Sequence, residues 1–230
     1  MREILFMIAC VWAIVTAFAY GIKFIRKHHN YLLGLEWLVM GTSCTNFLVF
    51  AAIKGSHDSV QYTIAEFFDA FSRSIGMTLI LVMGLMRVTH RYTPSLKIEI
   101  GTFAFGIVVG ALLTGYQDST YAVPAAIFFI VATVITTGYL IDFSIKLWRI
   151  GERGPAVWAG IATFLSLVVV VIYDTVQIPG DDAERTLFYS FALATWGLMM
   201  FAYYRAYDAF DAHNKRVDAA NGQQTTGAHV

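Results

Sequence analysis

The chain has 230 residues, 57% of them hydrophobic and 14% charged, and its mean hydropathy is +0.61. Soluble domains carry about a quarter charged residues, so this composition excludes an ordinary soluble globular protein and points to the membrane class. The formal net charge is zero, which leaves no electrostatic footprint for nucleic acid.

Seven apolar runs reach the ~20 residues that a helix needs to cross a bilayer. They lie at 4–24, 31–53, 62–86, 98–116, 120–145, 156–178 and 186–207. Short polar connections rich in Gly, Pro, Ser and Asp separate them. The expected fold is therefore an all-α, seven-transmembrane-helix bundle over residues 1–211. Residues 212–230, "AHNKRVDAANGQQTTGAHV", read as a disordered polar tail.

The first run contains "AFA" at 17–19, the small-x-small form of a cleavage site. Its basic cluster follows the apolar stretch instead of preceding it, the reverse of a signal peptide, so it reads as a retained helix. Cys10 here and Cys44 in the second run match no metal or redox spacing and read as small core residues.

The second run carries a polar block, "GTSCTN" at 41–46. Thr42, Ser43, Thr45 and Asn46 offer hydrogen-bonding groups at mid-membrane depth, where packing alone needs fewer. Glu36 lies nearer the other end of the same run.

The third run holds "EFFDAFSRSIGM" at 66–77. Arg73 is twelve residues past Gln61, roughly 18 Å along a helix and thus near the bilayer midplane. At about 100° per residue, Glu66, Asp69 and Arg73 share a ~60° arc, and Asp69 and Arg73 form an i,i+4 pair. An arginine at the bilayer centre costs about 2.5–3.5 kcal/mol on insertion scales. This face is thus expected to look into the bundle, as a solute or proton site or as a structural ion pair.

The fourth run contains "GIVVG", whose Gly106 and Gly110 can bring two helices close, within the bundle or across a homo-oligomer interface. In the fifth run Asp142 can pair with Lys146, and with Glu36 it could form an inner gate. A shift of 123 residues aligns 4–26 with 127–149, which suggests a 3+1+3 parallel repeat with the fourth helix as link. The sixth run places Asp174 toward the same end as Glu66 and Asp69. An acidic vestibule extended by His57, Asp58, Asp181, Asp182 and Glu184 would follow. The seventh run adds Ser190, Thr195, Trp196 and Gly197. The five tryptophans, Trp12, Trp37, Trp148, Trp158 and Trp196, fall mostly near run ends, as interfacial anchors do.

Twelve Lys and Arg residues fall at one set of run ends, and three, Arg2, Lys54 and Arg185, at the other. The positive-inside rule then places the N-terminus outside and the C-terminus in the cytoplasm, as expected in a bacterial inner membrane.

Helix count and orientation resemble those of microbial rhodopsins, but a retinal Schiff base needs a pocket lysine and the run 186–207 has none. Sugar transporters of three-plus-one-three build share the topology without a diagnostic motif here. Neither resemblance assigns a family. There is no His-Glu-x-x-His pair and no Gly-x-Ser-x-Gly elbow, so an enzyme is not the leading reading, and no cofactor or metal is expected. The expected function is transport or permeation of a small polar or anionic solute, or of protons, with Arg73 as anchor, Asp69 holding it, and Glu66 and Asp174 tuning access. The alternative is a seven-helix sensor or accessory subunit that binds a ligand in the bundle and signals to a cytoplasmic partner.

Overall fold

The computed structural model describes residues 2–53, 55–56, 58–116, 119–182 and 184–227, without the side chains of Asp174 and of residues beyond 221. The described residues are helical with no strand, and seven helices are long and apolar enough to cross a membrane. They are α1 (Arg2–His28), α2 (Tyr31–Ala52), α3 (Val60–Thr89), α4 (Leu96–Leu113), α5 (Ala122–Arg149), α6 (Arg153–Thr175) and α7 (Thr186–Gly227). The chain is an integral membrane protein of seven helices.

The helix ends follow local chemistry. Asn30 caps α2 by accepting from the Leu33 amide, and Ser59 caps α3 by accepting from the Tyr62 amide. Two aspartates cap α7: Asp182 accepts from the Thr186 amide, and Asp181 accepts from the amides of Leu187 and Phe188. Desolvation raises the Asp181 carboxyl. These amides, that of Asp182 and the charge of Arg2 outweigh it together and hold the group below its ordinary range.

Packing forms a ring in the order α1, α2, α3, α5, α6, α7, which closes where α7 meets α1, and α4 lies outside against α3. The α1–α2 crossing is close because Gly21 and Gly34 face each other; a Cβ on Gly21 would stand 3.0 Å from the Gly34 carbonyl oxygen. Aromatic rings join α1 to α7, with Tyr20 stacked on Tyr204 at 4.6 Å and Phe24 against Tyr207 at 5.1 Å. Gly106 and Gly110 receive Phe71 of α3: a Cβ on Gly110 would lie 2.9 Å from Phe71 Cβ and 3.0 Å from its Cα. Both glycines are thus covered by α3 of the same chain.

Near its middle α3 widens into a π-helix over Ser72–Ile80. The segment is Ser-Arg-Ser-Ile-Gly-Met-Thr-Leu-Ile, and its hydroxyls turn back on the backbone, Ser74 to the Phe71 carbonyl and Thr78 to the Ser74 carbonyl. Such bonding loosens the regular ladder, and π turns inside α-helices often mark functional sites.

The last helix continues well past residue 207. Its 42 residues span about 63 Å at 1.5 Å each, twice the ~30 Å hydrocarbon core. Residues 212–227, expected as a disordered tail, are a helical extension. Its inner part is docked: Asn214 donates to the Val88 carbonyl, Arg216 to Glu152 and Arg91 to Asp218. These contacts supply partners that composition cannot reveal.

Two tryptophans leave the expected interfacial pattern. Trp37 is fully buried and donates to the Met200 carbonyl, and Trp196 faces an internal cavity. Cys10 and Cys44 are buried, free thiols.

Candidate functional site

Arg73 enters the bundle from the second position of the π segment and is buried. Its Nη1 donates to the Tyr116 hydroxyl at 2.8 Å and reaches Asp69 Oδ2 at 3.4 Å. Two rings enclose the guanidinium: its Cζ lies 4.3 Å from the Phe129 centroid on α5 and 4.0 Å from that of Tyr173 on α6. Cation–π contacts are worth about 2 kcal/mol or more where water is excluded. Three helices, α3, α5 and α6, and the α4–α5 connection thus converge on one side chain, which explains how a charge is tolerated at this depth.

Arg73 forms part of the wall of a cavity of about 150 Å³ within the bundle. Glu66 and Asp69 line it from α3, Ser43 and Cys44 from α2, Thr133 from α5, Ser166 from α6, and Tyr189 and Trp196 from α7. No lysine lines it among the described residues. A second, more open cavity of about 390 Å³ is lined by Tyr116, Ala122, Val123, Ala126, Tyr173 and Arg185, among others. Tyr116 and Tyr173 border both cavities. Arg73 lines the first cavity and Arg185 the second. Arg185 donates to the Tyr173 carbonyl at 2.8 Å and lies 4.3 Å from the Phe188 ring.

Of the residues singled out in the sequence, Glu66, Asp69, Arg73 and Ser43 meet at the first cavity. Thr42 and Thr45 are exposed and bond the Leu38 and Gly41 carbonyls of their own helix. Asn46 ties α2 to the start of α3 through the Gln61 carbonyl at 2.9 Å. Three of the four polar side chains of the block therefore bond backbone carbonyls. Asp174 lies in the last turn of α6, and its side chain is outside the described residues, as are His57 and Lys54.

The supposed inner gate does not assemble. Glu36 is fully buried between α2 and the π segment, whereas Asp142 is half exposed and pairs with Lys146 at 2.7 Å. The i,i+4 pairing is local and legible; the facing of two separate helices is not. His28 ends α1 buried beside Tyr207, with Asp208 and Asp211 each 3.2 Å from a ring nitrogen.

Tyr116, Phe129, Tyr173 and Arg185 complete the site, but they are ordinary residues of separate segments, and nothing along the chain signals their convergence. No protein family, curated protein or solved structure matches the chain.

Proposed function

We propose that this protein binds a small polar or anionic solute among its helices and lets it cross the bilayer, with Tyr116 and Tyr173 as the partition the solute passes. The observation that carries this reading is that Tyr116 and Tyr173 line two neighbouring cavities, one holding Arg73 and the other Arg185. Arg185 would draw a negative or strongly dipolar group into the vestibule, and Arg73 would receive it. The first cavity of about 150 Å³ matches the size of an apolar cavity that holds benzene, so the solute is small. Asp69 and the two flanking rings keep the guanidinium in place, a positional rigidity that lowers the entropic cost of binding. Glu66 and Asp69 would disfavour solutes of high negative charge.

Orientation belongs to the same proposal. The excess of Lys and Arg at the end that carries Arg26, Arg91, Arg149 and Arg216 favours that end as cytoplasmic and the vestibule as external, in a bacterial inner membrane. Single cysteines at Ser59 and Ser95 should label from opposite sides; labelling from one side would overturn it. The 3+1+3 repeat rests on the alignment of 4–26 with 127–149, and the peripheral α4 suits a linking helix.

The function is tested in proteoliposomes by light scattering under gradients of formate, acetate, lactate, urea and glycerol. At least one should cross faster than in vesicles carrying Arg73→Leu. Equal rates for all five, with both proteins folded, would sink the transport reading.

A sensor is the second reading, favoured by α7 alone. Tyr189, Leu193, Trp196 and Met199 of α7 line the cavity, and the same helix extends far beyond the bilayer at its other end. A ligand that shifts α7 would move that extension.

A further inference from the structure

The carboxyl group of Glu36 is enclosed on every side. It rests against Gly76, in the middle of the π segment. A Cβ on that glycine would stand 2.2 Å from Oε1 and 2.7 Å from Oε2, so no larger residue fits there unless the carboxyl moves. Ser72, the first residue of the π segment, interacts with the same carboxyl and also lines the cavity that holds Arg73. Neither carboxyl oxygen nor Ser72 Oγ closes a hydrogen bond of good geometry, although buried polar groups nearly always do.

Among the described residues no cation offsets this acid. On α3, Arg73 directs its guanidinium to Asp69, Tyr116, Phe129 and Tyr173, and Arg87 donates to the His29 carbonyl. On α1, Lys23 lies over the rings of Tyr20 and Tyr204. From 186 to 204, α7 carries no charged residue. An ionised carboxylate sealed in such surroundings without a partner is so unfavourable that it takes up a proton instead. The protonated acid is both donor and acceptor and can rest against the glycine backbone.

We propose that Glu36 is a proton-binding site served from this cavity through Ser72. A hydronium ion in the cavity gives a proton to Ser72 Oγ while the Ser72 hydroxyl gives its own to the Glu36 carboxylate, so hydronium and carboxylate become water and carboxylic acid. Release runs the same steps backward. The proton taken up at Glu36 and the guanidinium of Arg73 then bear on one nine-residue π segment. The proposal rests on the cavity described above but requires no particular solute.

The test is infrared difference spectroscopy of the full chain in lipid nanodiscs, with pH jumps and exchange into D₂O. The expected result is a protonated-carboxyl carbonyl band that moves in D₂O, vanishes in Glu36→Gln and shifts in frequency in Glu36→Asp. In Ser72→Ala the band should remain, but its deuterium exchange should slow several-fold. No such band at any pH, a band unaltered in either Glu36 variant, or unaltered exchange in Ser72→Ala would each overturn the proposal. The Glu36→Asp and Ser72→Ala readouts hold even if Glu36→Gln does not fold. Vesicles that pass no solute would count against transport and leave this site standing, whereas a missing band would do the reverse.

Discussion

Arg73 and Tyr116 are joined by a 2.8 Å hydrogen bond from Nη1 to the phenol oxygen, across 43 residues of chain. Tyr116 also borders both cavities, so the bond ties the buried cation to the partition. Hydrogen bonds to charged groups contribute about 1.5–3 kcal/mol. Tyr116→Phe is expected to lower the melting temperature and to raise passive solute leak, because the ring loses its tether. Thermal denaturation and vesicle leak assays check both; a tight, fully stable Tyr116→Phe would show that the partition does not depend on this bond.

The Asp69–Arg73 pair makes a prediction with internal controls. Breaking a fully buried pair costs about 3–5 kcal/mol, but the Asp69 side chain is 21% exposed, so Asp69→Asn should cost less than that range. Combining it with Arg73→Leu should recover yield, since both charges are then gone. If Arg73 also anchors solute, the double variant folds but passes nothing. Arg73→Lys should be only partly active, because a compact ammonium cannot fill a planar gap between two rings. Yield, melting temperature and flux of the four proteins settle the matter; a double variant with normal flux would leave registration of the helix as the reason for the charges.

Gly110 should tolerate no side chain. Gly110→Ala places a Cβ against Phe71 Cβ and Cα, and overpacking of this kind costs about 1–3 kcal/mol. The expected outcome is a lower melting temperature with no change in oligomeric state by light scattering. A stable variant that loses a dimer would contradict the internal role of this face.

Asp181 gives a pH dependence whose sign is determined. Its carboxyl lies below its ordinary range in the folded chain, so its stabilising contribution is complete above the unfolded value of about 4 and is lost as pH falls through the folded value. Removing a capping side chain costs about 0.5–2 kcal/mol. Asp181→Ala should therefore melt earlier than the parent at pH 7, and the gap should narrow as the pH drops below about 4. A gap that widens on acidification would refute the cap.

Deleting residues 214–230 separates the two functional readings. It removes the contacts of Asn214, Arg216 and Asp218, and exposed ion pairs contribute only about 0–1 kcal/mol each. The truncated chain should fold. A transporter should keep its flux, whereas a sensor should bind its ligand and lose its output; loss of flux on truncation would favour the second reading.

The seven helices are legible along the chain, because a bilayer interior leaves the backbone no solvent partner and each long apolar run must satisfy its own hydrogen bonds. So are the pairs separated by one helical turn, Asp69 with Arg73 and Asp142 with Lys146, since helix geometry alone brings i and i+4 together. The tertiary structure alone decided what surrounds them. Whether Phe129 and Tyr173 face Arg73, whether Thr42 faces lipid while Ser43 faces the cavity, and whether Gly76 lies under Glu36 depend on how each helix is rotated about its axis. That rotation is set by side-chain packing between helices distant in sequence, as at Gly110 and Phe71, and apolar runs this uniform leave it unmarked along the chain. The extension of α7 follows the same logic: a polar segment with weak local signals is held as helix by Val88 at the end of α3 and by Arg91 and Glu152 in the connections, which only the folded bundle brings within reach.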